Sequence, residues 1–307
     1  MNAKITVIGA GNVGATTAEL IARDGLADVV LFDIHEGIAK GKALDISEAC
    51  PLWNSPSSVT GTAGFNETAD SDIIVITAGF PRKPGMSRDD LLHANADVIR
   101  GVTEGTAKLS PNSMIIVVTN PMDVMAHTAY RVSGFDSRRV VGMGGVLDSA
   151  RFRTFVAMEF GVAPGDVEAM VLGGHGDQMV PLPRFTTVKG IPITELLGND
   201  AINSLIERTR HGGAEIVGLL KTGSAYYAPA ASTVQMVRSV LLDEKRILPC
   251  SAHLNGEYGH SGVFVGVPVV LGKGGVERII SLELNPEESA MFDRSASAVS
   301  SMVEVLK

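Results

Sequence analysis

Cysteine is nearly absent: the 307 residues contain two, Cys50 and Cys250, each beside a proline and neither in a CxxC or Cys/His cluster. Isolated thiols argue against a disulfide framework and for a reducing compartment. No apolar run approaches the roughly 18 residues that a membrane helix needs. The opening stretch KITVIGAG enters a strand pattern directly, with no signal-peptide pattern. The expectation is a soluble, cytoplasmic protein with no membrane partner. Positive charge is also short: the net charge is −8, which argues against a nucleic-acid partner. None of Tyr130, Tyr226, Tyr227 and Tyr258 has a lysine four residues on, as a short-chain reductase would need. The GxxxxGK[ST] phosphate loop and HExxH are missing too, and no metal is expected.

What is present is enough apolar material for a large core, 45% of residues against 20% charged. The length suits one large domain or two closely packed ones. In the first half, runs rich in Val and Ile at 4–9, 29–34, 72–79, 114–120 and 139–143 read as strands. Their near-continuous hydrophobicity marks parallel strands buried on both faces. Helical patterns at 13–24, 91–109 and 123–133 lie between them. Alternation of this kind predicts an α/β fold, a Rossmann doubly wound parallel sheet. The second half changes character. It has helices at 148–161, 201–220, 230–243 and 286–306, a strand VEAMVLGG at 167–174, and strands at 246–254 and 263–271. That reads as an α+β substrate domain. The expected division is 1–145 and 146–307, with no Pro/Ser-rich linker, so the halves should pack tightly.

The run VIGAGNVG places Gly9, Ala10, Gly11, Asn12, Val13 and Gly14 between a strand and a helix, with the glycines in GxGxxG spacing. The first glycine serves a tight turn, the second lets backbone approach a pyrophosphate, and the third lets helix and strand pack closely. Asp33 ends the next strand, 19 residues after Gly14. A carboxylate there accepts from ribose hydroxyls and repels a 2′-phosphate, which favours NAD over NADP. Asn120 closes another apolar strand, within reach of a nicotinamide or substrate.

Beyond Gly79 the chain reads FPRKPGMSRDD, a charged Pro/Gly loop at the carboxyl edge of the sheet that looks like a hinged lid carrying Arg82 and Arg88 inward. Asp148 and Arg151 share a helix face, and an arginine fork suits a carboxylate. His175 stands in GGHGD. A carbonyl reduced by hydride leaves an alkoxide that needs a proton, and histidine is the side chain suited to supply one near neutrality. A carboxylate on its other ring nitrogen would fix the tautomer. Asp148 is the first candidate and Asp177 the sequence-adjacent rival.

In this order, GAGNVG, Asp33, PRKPGMSRDDLL, VTNPMDV, GVLDSARFR and GGHGDQMVP resemble the lactate/malate dehydrogenase family, and GSAYYAPA and GVPVVLGKGGVE extend the likeness to essentially the whole chain. The pattern is most similar to the bacterial lactate-dehydrogenase-like group that acts on malate with NAD. The resemblance implies His175 as proton donor and acceptor with Asp148 orienting it. It implies Arg151 on the substrate C1 carboxylate, Arg88 polarising the carbonyl and Arg82 reading a distal carboxylate. Asn95, Asn120, Val118 and Thr119 are implied as contacts to cofactor and substrate. Lactate enzymes usually carry Gln where Arg82 stands and Thr where Ala225 stands, so both positions favour malate and oxaloacetate. A place in the tricarboxylic acid cycle and a homo-oligomer, a tetramer rather than a dimer, are further implications. The apolar face of residues 40–53 is a candidate subunit contact. A non-catalytic NAD-binding sensor is the rival reading, and the intact set of His175, Asp148, Arg88 and Arg151 speaks against it.

Overall fold

The computed structural model describes residues 2–81 and 87–306. The apolar runs of the first half become strands: β1 (Lys4–Ile8), then α1 (Asn12–Arg23), β2 (Asp28–Phe32), α2 (Glu36–Ala49), β3 (Val59–Thr62), β4 (Ile73–Ile76), α3 (Arg88–Ala107), β5 (Met114–Val117), α4 (Met122–Ser133) and β6 (Val140–Gly142). Every residue of β4 and β5 is buried, as expected of strands covered by helices on both faces. Helix α3 begins three residues before the pattern predicted. Ser87 and Asp90 form a capping box there, each side chain accepting from the other's backbone N–H. Helix α2 and strand β3 were not anticipated, because VTGT is short and lacks an apolar run.

The second half contributes α5 (Gly145–Phe160), β7 (Val167–Glu168), β8 (Val171–Leu172), β9 (Val180–Pro181), β10 (Thr187–Val188), β11 (Ile191–Pro192), α6 (Ile193–Leu196), α7 (Asn199–Leu220), α8 (Tyr227–Leu241), β12 (Arg246–Asn255), β13 (Ser261–Gly272), β14 (Gly275–Ile279) and α9 (Pro286–Val305). The expected single strand VEAMVLGG is two: β7 joins β10 and β11, whereas β8 pairs with β9. Residues 169 and 170 break the run between them, so one apolar segment serves two small sheets.

The large sheet has nine strands in the order β14-β13-β12-β6-β5-β4-β1-β2-β3. The six from β3 to β6 are parallel, as predicted for a doubly wound sheet. The antiparallel strands β12, β13 and β14 extend it, joined through Ser251 opposite Gly142. The two halves therefore share one sheet, and one apolar core runs from Ile5 to Val299. Strand order reverses between β1 and β4, the switch point beyond whose carboxyl ends ligands bind in such sheets. No helix among the described residues is long and apolar enough to cross a membrane.

Two glycines hold the first turn closed. Gly9 has φ +100, and a Cβ there would stand 2.8 Å from the Ala78 nitrogen. A Cβ on Gly14 would collide with the Gly9 carbonyl oxygen. Replacing Gly14 with alanine should therefore cost about 1–3 kcal/mol in denaturant unfolding and weaken dinucleotide binding. An unchanged unfolding midpoint would show that α1 does not need this approach.

Candidate active site

At the switch point, the Gly-rich turn leads into α1, whose first N–H groups receive no side-chain cap. A Cβ on Gly11 would meet nothing within 4 Å, so the turn opens onto free space. An uncapped helix N-terminus beside bare backbone fits a pyrophosphate. Asp33 leaves β2 beside it. One carboxylate oxygen accepts from the Ala10 N–H at 2.8 Å, the other from the His35 N–H at 2.9 Å. An ionised carboxylate has about four acceptor positions, so two remain for ribose hydroxyls. Lys42, which the sequence reading passed over, reaches from α2 to the Ala10 carbonyl at 2.8 Å. The residues present thus fit a dinucleotide.

Further along the edge, Asn95 is buried and works as a clamp. Its amide nitrogen donates to the carbonyls of Asn120 at 2.7 Å and Phe80 at 3.2 Å, and its oxygen accepts from the Phe80 N–H at 2.7 Å. Both of its N–H groups are spent on backbone, so it shapes the crevice by joining the loop after β4 to the segment that follows β5. The Thr119 hydroxyl adds a second tie, donating to the Ala78 carbonyl at 2.7 Å. Val118 is half-buried and Asn120 is exposed at the crevice.

The catalytic candidates converge across the boundary between the halves. Helix α5 starts three residues after β6 ends, which carries Asp148 inward on its first turn. Asp148 is 1% exposed. Its Oδ2 lies 2.9 Å from Nδ1 of His175. Asp177, the rival, is exposed. Arg151, one turn along α5, approaches the other Asp148 oxygen at 3.5 Å. Its side chain is only 13% exposed, and its buried Nε has no hydrogen-bond partner among the described residues. A permanent cation with one long contact and little water is an anion receptor in waiting. Two glycines in the middle of α7 make room for it: a Cβ on Gly212 would stand 3.2 Å from Arg151 Cδ, and one on Gly213 3.5 Å from Nη2.

Burial on its own would push the His175 imidazole to a lower proton affinity. The charge and hydrogen bond of Asp148, helped by the charge of Asp123, outweigh it and hold the affinity above the ordinary histidine value. With Nδ1 engaged, Nε2 is the nitrogen left to exchange a proton. Asp123 is a further residue the sequence reading missed. It sits in the first turn of α4, where an acidic residue reads as ordinary helix capping, and its Oδ2 accepts from the backbone N–H of His175 at 2.8 Å. Arg88 is exposed at the first turn of α3 and has not joined this cluster. Arg82 lies outside the described residues.

Residues 3–142 match the sequence model of the lactate/malate dehydrogenase NAD binding domain, and residues 145–306 match that of the lactate/malate dehydrogenase alpha/beta C-terminal domain. A malate dehydrogenase of Roseiflexus sp. (strain RS-1) is 57% identical over 307 residues, covering 100% of this chain and 99% of that protein. The solved malate dehydrogenase of Salinibacter ruber superposes with a TM-score of 0.95 at 51% identity, covering 99% and 97% of the two chains. A lactate dehydrogenase of Cryptosporidium parvum, solved with lactic acid and NAD, superposes at 0.96 with 44% identity over 100% and 98%.

The raised affinity of His175 has a sign that can be checked. Its stabilising contribution is complete below about pH 6.5 and is lost as pH rises through the higher folded value. In NMR titrations the His175 imidazole should have its midpoint above 6.5. Asp148→Asn should lower that midpoint by about one unit or more, since burial and Arg151 are then opposed only by the charge of Asp123. A midpoint indifferent to the substitution would contradict the pairing.

Proposed function

The chain belongs to the lactate/malate dehydrogenase family, and we propose that it interconverts (S)-malate and oxaloacetate with NAD, using His175 as proton donor and acceptor. The observation that carries this reading is the buried Asp148–His175 pair standing beside Arg151, whose buried Nε has no hydrogen-bond partner among the described residues. One side supplies a proton and the other holds a carboxylate, as reduction of a 2-oxo acid requires.

When bound, NAD supplies the hydride acceptor, or in its reduced form the donor. Gly9 to Gly14 and Asp33 would hold its pyrophosphate and ribose, and the backbone gathered by Asn95 and Thr119 would line its far end. Arg151 would pair with the substrate C1 carboxylate in two parallel hydrogen bonds. This orients the C2 carbonyl toward His175. As the lid closes, Arg88 would turn in from the start of α3 and stabilise negative charge on the carbonyl oxygen, and water would be excluded. His175 Nε2 then delivers its proton to that oxygen, while Asp148 stabilises the imidazolium before the transfer. In the direction of oxidation, neutral His175 takes the hydroxyl proton.

Choice of substrate rests on Arg82. A second carboxylate would satisfy this cation, whereas a methyl group would leave it unpaired in a closed site. That mismatch costs roughly 3–5 kcal/mol, or about two to four orders of magnitude in preference at ~1.4 kcal/mol per decade. Ala225, ahead of the paired tyrosines, supports the same choice.

A homo-oligomer is part of the proposal. Ile38 and Leu44 of α2 and Leu52 just beyond it are exposed apolar side chains, which suits a helix covered by a second copy. Light scattering should give a multiple of the 32.2 kDa chain mass; a monomer at micromolar concentration would refute this part. For the chemistry, His175→Asn should lower turnover of oxaloacetate by about 10³-fold or more and leave NADH binding intact. Parent-like turnover in that variant would remove His175 from the mechanism.

A further inference from the structure

The proton transfer described above makes no use of Asp123, although that residue is among the most buried charged groups of the chain, 4% exposed. Its surroundings are specific. Oδ2 accepts from the backbone N–H of His175 at 2.8 Å, and Oδ1 accepts from the Ser251 hydroxyl of β12 at 2.6 Å. Next along the loop, the Gly174 N–H donates to the Ser295 hydroxyl of α9 at 2.8 Å. Two consecutive amides of the loop are thus held by side chains from α4 and α9, while α5 holds the imidazole through Asp148.

An uncharged acceptor would satisfy the His175 amide without the desolvation cost of burying a carboxylate. The charge therefore calls for an explanation, and the nearest group that benefits is the imidazole. Among the described residues, the charged groups acting on His175 are Asp148 and Arg151 from α5 and Asp123 from α4. Arg151 opposes an imidazolium, and the two carboxylates favour it. We propose that Asp123 is a positioning residue for the proton transfer: its carboxylate anchors the His175 backbone, and the Ser251 hydroxyl on its other oxygen keeps a second negative charge beside the imidazole. This rests on the reading of His175 as the proton donor.

The role of Ser251 follows from the chemistry of the pair. Burial, with the nearby charge of Asp148, lifts the proton affinity of Asp123 above the ordinary carboxylate value, and the donations from Ser251 and the His175 amide, with the charge of His175, are what oppose that rise and favour the ionised form. Removing the hydroxyl lets the carboxyl group take up a proton at higher pH, and the charge beside His175 fades. Removing the carboxylate deletes the charge outright and leaves the His175 and Ser251 donors with one acceptor between them.

The test uses the full chain with Asp123→Asn and, as a milder change that keeps the packing, Ser251→Ala. The His175 imidazole is followed by NMR on protein with labelled histidines, its signal assigned by its loss in His175→Asn. Oxaloacetate reduction is measured in parallel across pH, with NADH affinity from fluorescence. Asp123→Asn is expected to lower the His175 midpoint by about one unit, to move the descending limb of the pH profile down by the same amount, and to cut kcat about tenfold or more. KM for oxaloacetate and NADH affinity should stay near the parent values. Ser251→Ala should shift the midpoint in the same direction by less. Parent-like midpoints in both variants overturn the proposal. If Asp123→Asn does not fold, a parent-like midpoint in Ser251→Ala alone does so. Failure of the parent to reduce oxaloacetate would refute the functional reading, and the NMR midpoints would still decide the role of Asp123.

Discussion

The hydrogen bond between Nδ1 of His175 and Oδ2 of Asp148, 2.9 Å long and nearly closed to water, is the constraint around which the site is arranged. A carboxylate this buried is costly unless its charge is met. The imidazole meets it on one oxygen and Arg151 approaches the other. The arrangement ties two needs together. In the proposed mechanism the imidazole has to be basic enough to carry a proton near neutrality, and the arginine has to stay short of partners so that an incoming carboxylate would complete its coordination. One aspartate on the first turn of α5 serves both.

Holding that aspartate in place requires the rest of the fold. Strand β6 delivers the start of α5 to the carboxyl edge of the sheet, and β12 continues the sheet beside β6 through Ser251 and Gly142. The dinucleotide turn and the histidine loop come from opposite halves of the chain, yet one sheet runs beneath both. At the centre of the edge, Asn95 joins the loop after β4 to the segment that follows β5, tying Phe80 to Asn120. Preorganisation of this kind matters because a proton donor helps only when held within hydrogen-bond reach of its acceptor.

Much of this could be read from the residues because the signals were local. Parallel strands buried on both faces leave continuous Val and Ile runs, and GxGxxG followed by an acidic strand end marks the turn that carries it. Asp148 was named ahead of Asp177 as the partner of His175, and the geometry agrees. What escaped depends on contacts distant in sequence. Asp123 lies 52 residues from the amide it accepts from, and Ser251 lies 128 residues from Asp123. Nothing in VTNPMDV or LPCSAHL announces that meeting. Short strands such as β3 and β14 carry little periodicity, and the split of VEAMVLGG between two sheets is set by tertiary pairing. The hydrogen bonds of Asn95 to Phe80 and Asn120 likewise join segments that nothing in their local sequence pairs.

The most direct measurement is the rate of NADH oxidation with oxaloacetate and with pyruvate, in parallel on the same protein. With the proposed roles of Arg151 and Arg82, kcat/KM for oxaloacetate should exceed that for pyruvate by about a thousandfold, because two carboxylates would satisfy both cations where one would not. A preference for pyruvate, or no turnover of either despite tight NADH binding, would contradict it.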